Sequence, residues 1–325
     1  MRSPIFILGA HKSGTSLLRN LLDSHSQLFV LPFEAHYFEL SKYWVENPYR
    51  KTQPGYTTAT ETQSAMINYI RLLNESNDRY ADSVMKKRIN TKLFIDKLAL
   101  AESESEKERI IKYFSAIAYS LGEKRDIEKF RFVEKSVENN EFAMELKHFF
   151  PDAKFIHIIR NPYSNFVALR KYKSINYGYP LLDKLICTLH QNFYWLEKNL
   201  STIKNYHVVK YEDLVTNPEI IMRSICNFLD IGFEDTLLKP TTLGIEWEGN
   251  STSNTKFKGI DAGNLNKWQK ELSPYEAFII NRTFNSMIKK YNYVPFNVRG
   301  SIWKKNKGEN LLRYIYNRIF QYYLR

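Results

Sequence analysis

Five short apolar runs, rich in β-branched and aromatic residues, recur along the chain: Ile5–Leu8, Leu28–Leu31, Phe130–Glu134, Lys154–Ile159 and His207–Lys210. Between and after them apolar positions return at helical spacing. That spacing predicts helices over Thr15–Ser24, Glu141–Phe149, Tyr163–Tyr172, Leu181–Leu200, Pro218–Leu229 and Pro274–Tyr291. Ser273 and Pro274 suit the start of the last one, as N-cap and first helical residue. Strands apolar on both faces that alternate with helices belong to a parallel sheet covered on both sides. The expected fold is therefore α/β, a three-layer arrangement of about five parallel strands flanked by helices.

About ninety residues separate the second and third runs, too many for a plain loop. Segment 39–129 is charged, helix-prone in its later part and without a further strand signal; it is read as a helical insertion capping the acceptor side of the sheet's carboxyl edge. Residues 1–298 are expected to form one domain. Segment 299–325 combines Trp303, Leu311, Leu312, Ile315, Ile319 and Phe320 with basic residues from Lys304 onward, the pattern of a basic amphipathic helix. Such a helix suits its own domain, a partner or an anionic membrane.

Lys and Arg exceed Asp and Glu by 12 over 325 residues, which favours an anionic partner or reflects background composition rich in Lys. Cys187 and Cys226 lack partners at metal-ligand spacing, so neither a disulfide framework nor a zinc site is signalled. The apolar run at the amino end is too short for a signal peptide, and no run is long enough to span a membrane. The expected location is cytoplasmic, at most peripheral to a membrane.

Gly9-Ala10-His11-Lys12-Ser13-Gly14-Thr15-Ser16 joins the first strand to the first helix and gathers backbone N–H groups at a helix N-terminus, where an anion binds. The glycine spacing matches the front of a P-loop, but Thr15 stands where a P-loop has lysine, and the lysine lies inside the loop at Lys12. The strand Lys154–Ile159 leads into Arg160, where a magnesium-dependent kinase needs a carboxylate. No metal is expected; two anions held by protein cations are.

Lys12-Ser13-Gly14-Thr15-Ser16-Leu17-Leu18 and Phe155-Ile156-His157-Ile158-Ile159-Arg160-Asn161-Pro162 resemble the two cofactor signatures of the sulfotransferases, which use 3′-phosphoadenosine 5′-phosphosulfate (PAPS) and release PAP. The resemblance implies that the loop with His11, Lys12, Ser13, Gly14, Thr15 and Ser16 holds the 5′-phosphosulfate and that Arg160 holds the 3′-phosphate. Glu134-Lys135-Ser136 is similar to the segment of tyrosylprotein and glycan sulfotransferases whose lysine reaches the sulfuryl group. Tyr211-Glu212-Asp213-Leu214 resembles the family's turn near adenine, and Ser251–Trp268, with Lys256, Lys258, Lys267 and Trp268, resembles the basic segment that closes over the nucleotide. Phe33-Glu34-Ala35-His36-Tyr37-Phe38 is similar to the stretch whose glutamate deprotonates the acceptor. It makes Glu34 the base, with His36 orienting it or taking its place. One departure stands out: Ala168 lies where the family has a serine for the 3′-phosphate, with Ser164 one turn earlier and Arg170 and Lys171 nearby.

The implied activity is transfer of the sulfuryl group of PAPS to a hydroxyl of a carbohydrate or glycolipid, without a metal, with Lys12 and Lys135 stabilising charge. A tyrosylprotein acceptor is the alternative within the family. A basic nucleic-acid-binding protein is the alternative from another class; it predicts clustered Lys and Arg with interleaved aromatics, whereas the charge here is dispersed.

Overall fold

Alternation along the strands sorts the interior into two cores. In the computed structural model, which describes residues 2–43, 58–75, 89–249 and 259–320, the first strand β1 (Ile5–Gly9) sends Ile5 and Ile7 to one core and Phe6 and Leu8 to the other. The chain continues through α1 (Thr15–Leu22), β2 (Leu28–Val30), α2 (Tyr37–Leu40), α3 (Ala59–Glu75), α4 (Thr91–Leu98), α5 (Glu106–Ser120) and β3 (Arg131–Glu134). It then forms α6 (Ala143–Phe149), β4 (Lys154–Ile159), α7 (Pro162–Tyr177), α8 (Leu182–Thr202), β5 (Tyr206–Lys210), α9 (Tyr211–Thr216) and α10 (Pro218–Leu229). A small antiparallel ribbon, β6 (Thr241–Thr242) with β7 (Ile245–Glu246), precedes α11 (Pro274–Thr283), α12 (Asn285–Lys290) and α13 (Leu311–Phe320).

The main sheet is five-stranded and parallel, in the order β2-β3-β1-β4-β5. Its first core takes Leu18 and Leu21 of α1 and Ile225 and Leu229 of α10; the second takes Phe114 of α5, Phe166 of α7 and Leu185 of α8. The three-layer α/β expectation is met. All five predicted strands form, each within a residue or so of its expected bounds.

Two helices differ from the expectation. The helix predicted over Pro274–Tyr291 breaks at Phe284, whose backbone leaves helical geometry and caps both α11 and α12 while its ring stays buried. In the carboxyl tail only Leu311–Phe320 is helical among the described residues, and residues 299–310 run without helix. The insertion helices brace the sheet edge: Tyr69 of α3 donates to Glu34 O at 2.7 Å and Tyr113 of α5 to Ala35 O at 2.9 Å. Hydroxyls from two insertion helices thus hold consecutive carbonyls of the turn after β2.

Candidate active site

The five strands of the main sheet point their carboxyl ends the same way, so the loops after β1, β2, β3, β4 and β5 meet at one edge. After β1 the backbone takes positive φ at Lys12 (64°) and Gly14 (108°), and Gly14 becomes the N-cap of α1 with no side-chain cap. A Cβ at Gly14 would strike the ring of Tyr211, so glycine is required there for space as well as for conformation. Asn140 fixes the other end of the loop. Its side chain accepts from Gly9 N and donates to Gly9 O, each at 3.0 Å, as a neighbouring strand would.

Consecutive residues of this loop face different cavities. Lys12 lines one of about 470 Å³ together with Thr15, Ser16, Arg160, Ser164, Tyr211, Lys267 and Trp268. His11 lines another of about 230 Å³ together with Glu34, His36, Glu39, Glu138, Asn192 and Trp195. The loop is therefore a partition, with a cationic chamber on one side and an acid-rich chamber on the other.

In the cationic chamber Arg160 leaves β4 and donates from Nη1 to Lys12 O at 2.9 Å and from Nε to Ser164 Oγ at 3.0 Å. Its guanidinium lies 4.5 Å from the centre of the Tyr211 ring, the ring that also abuts Gly14. Asn161 caps α7 through Tyr163 N and Ser164 N, which turns Ser164 into the chamber. Glu212 accepts from Asn161 N at 2.9 Å and thereby ties the Tyr211 turn to the end of β4. Burial, aided by the Lys135 charge, lowers Lys12 to about 8, and its ammonium sits 4.5 Å from the centre of the Tyr172 ring. Lys171 lines the chamber beside Ala168, whereas Arg170 is turned to the fully buried Glu276. Backbone N–H groups at a helix start, a guanidinium, three lysines and aromatic rings form a donor set that fits an anionic nucleotide.

Two residues assigned to the cofactor from sequence sit elsewhere. His11 faces the acid-rich chamber because the turn at Lys12 reverses the chain. Ser13 bonds its amide to Ala10 O and keeps its hydroxyl buried beneath the loop, near Gly9. Trp268 is buried, stacked on Tyr163 at 5.2 Å and tilted against Phe296 at 4.8 Å, and still lines the chamber. Lys256 and Lys258 lie outside the described residues.

The acid-rich chamber gathers Glu34 and His36, with Lys135 behind Glu34. Lys135, nearly fully buried, pairs its ammonium with Glu34 Oε1. Burial pushes the Glu34 carboxyl up, but Lys135, His36 and His11 outweigh it and hold the group at about 2. Burial opposes charge on His36 too, yet its 2.9 Å bond to Glu138, with Glu34 and Glu39 at 3.7 and 3.8 Å, lifts it to about 9. That value keeps His36 cationic at neutral pH.

Beneath them Glu134 accepts from Ala35 N at 3.1 Å and from Ser136 Oγ, and that hydroxyl accepts from His36 N. Burial raises Glu134 to about 7. The ligating atoms of Glu34, His36 and Glu138 lie within 4.8 Å of one another, and Lys135 already supplies a positive charge there. Sequence reasoning missed Glu134, Glu138, Asn140, Asn192 and Trp195. The run Val137-Glu138-Asn139-Asn140 after Lys135-Ser136 is a polar turn on a strand end and was the available signal.

Residues 4–235 match the model of a sulfotransferase family. The fold resembles a sulfotransferase domain from the curacin biosynthetic pathway, at 21% identity over 90% of this chain and 99% of that one, TM-score 0.59. It also resembles a sulfotransferase domain from the Synechococcus PCC 7002 olefin synthase, at 19% identity over 90% and 97% of the two chains, TM-score 0.59. No curated protein matches the sequence.

Proposed function

Because the chain belongs to the sulfotransferase family, we propose that it moves the sulfuryl group of PAPS to a hydroxyl of a carbohydrate or glycolipid, with Glu34 as base. The partition by the β1 loop carries this reading: Lys12 on the cationic side and Glu34 on the acidic side are bridged by Lys135, which pairs with Glu34 and depresses Lys12. The cationic chamber would take the nucleotide, with Arg160 and Ser164 at the 3′-phosphate and the amides of the α1 N-terminus at the 5′-phosphosulfate. PAPS supplies an activated sulfuryl group. Lys12 and Lys135 offset the negative charge that gathers on its oxygens, the part a metal plays in phosphoryl transfer.

On the other side Glu34 Oε2 lies 3.7 Å from His36 Nε2, and Glu34 receives the acceptor proton while the imidazolium fixes its orientation. Carboxylates, amides of Gln191 and Asn192, and the Trp195 ring line this chamber, a mixture suited to a polyhydroxylated acceptor. Its acidic lining disfavours acceptors that already carry sulfate or carboxylate. Labelled PAPS turnover on a panel of neutral glycans and glycolipids tests the reading: Glu34→Gln and Lys135→Ala should each reduce it about 10²–10³-fold. Full turnover in both variants would refute the assignment.

A further inference from the structure

Helix α13 is mounted inside out. It buries Asn317 (0% exposed) and Arg318 (5%) and presents Leu311 (65%), Leu312 (79%), Ile315 and Ile319 to the outside. At about 100° per residue these four side chains occupy one contiguous arc, extended by exposed Tyr316. The inward face is polar. Asn317 accepts from Leu182 N at 3.0 Å and donates to Glu309 at 2.7 Å, and its carbonyl receives the Tyr275 hydroxyl. Arg318 lies 3.9 Å over the Tyr275 ring and donates to Lys304 O. These buried bonds fix the rotation of the helix, so the outward apolar arc is not a matter of loose docking.

The surroundings are basic. Arg299, Lys304, Lys305 and Lys307 are exposed, and Glu309, the single acid between 299 and 325, is buried. Asp183 stands at the margin and accepts the Tyr316 hydroxyl at 2.7 Å. Trp303, half-exposed, is tied to the helix by the Tyr314 hydroxyl on its carbonyl at 2.8 Å.

We infer that α13 with segment 299–307 is a docking surface for an anionic lipid membrane. An apolar arc on a helix, an aromatic at its edge and lysines around it are what an interfacial helix presents to acidic headgroups. A second copy of the chain fits less well, since a two-fold contact through this face would set like basic rims against each other. Leu182, which anchors Asn317, begins the helix whose Thr188 and Asn192 line the acid-rich chamber.

Sedimentation of the full chain with phosphatidylcholine vesicles, with and without phosphatidylserine, tests this. Binding should be at least about tenfold stronger with phosphatidylserine and should weaken as salt rises. Leu312→Asp with Ile315→Asp should abolish it, and Lys304→Glu, Lys305→Glu and Lys307→Glu together should remove the preference for acidic lipid, with melting temperatures unchanged because these side chains are exposed. Absence of binding, or equal binding to both vesicles, would overturn the inference. So would a wild-type dimer in sedimentation equilibrium that Leu312→Asp dissolves.

Discussion

Lys135, buried at the end of β3, donates to Oε1 of Glu34 on the turn after β2, so the proposed base and a proposed sulfuryl-binding cation form an ion pair. The pair holds Glu34 at about 2, too acidic for a strong base. On the proposed mechanism, sulfuryl oxygens that draw on Lys135 would leave burial to raise the carboxyl, so the base would strengthen only in the filled site.

Lys135→Ala should therefore do more than slow turnover by about 10²–10³-fold. It should also move the acid limb of the pH–rate profile upward, because Glu34 is no longer held near 2 and burial raises it. A profile whose acid limb stays in place would show that Lys135 does not set the base.

His36 makes a stability prediction. Its folded value of about 9 lies above the ordinary 6.5, so the stabilisation it contributes is complete below pH 6.5 and is lost as pH rises through 9. The urea midpoint of the wild type should fall across that interval by more than that of His36→Asn. Comparing the two slopes removes other groups that titrate there, Lys12 among them.

Gly14→Ala should weaken nucleotide binding and lower stability. The new methyl meets the Tyr211 ring and the backbone keeps φ near 108°, a strain of about 1–3 kcal/mol. Calorimetry should find PAP affinity reduced at least about tenfold. Adding Tyr211→Ala should relieve the collision but not the backbone strain, and restore affinity only in part.

Arg160 is assigned to the 3′-phosphate, and a ligand lacking that phosphate tests the assignment. Arg160→Met should weaken PAP by about 10–100-fold, the range for a charged hydrogen bond, and weaken adenosine 5′-phosphate far less. Equal losses would mean that Arg160 acts by supporting Lys12 O, the other contact it makes.

Local pattern revealed what local pattern determines. The strands, the glycine turn and the Ser273-Pro274 helix start are written in runs of neighbouring residues, and the structure follows them closely. What stayed hidden depends on distant partners. His11 and Lys12 are adjacent, yet which chamber each faces depends on the positive φ at Lys12 and on the clamp from Asn140, far along the chain. The amphipathic pattern of α13 was visible, but not its direction. Apolar residues turn outward there because Tyr275, Leu182 and Glu309 bind Asn317, and no periodicity reports that. Glu134 read as the end of a strand and emerged as the buried brace of the Glu34 turn.

The central claim, a site built for a doubly anionic adenine nucleotide held without magnesium, is tested most directly by thermal shift of the wild-type protein. Saturating PAP in the presence of a chelator should raise the melting temperature by roughly 5 °C, as expected for a ligand at about 100 times its dissociation constant. ATP with magnesium should do far less. Stabilisation by ATP with magnesium and none by PAP would contradict the account.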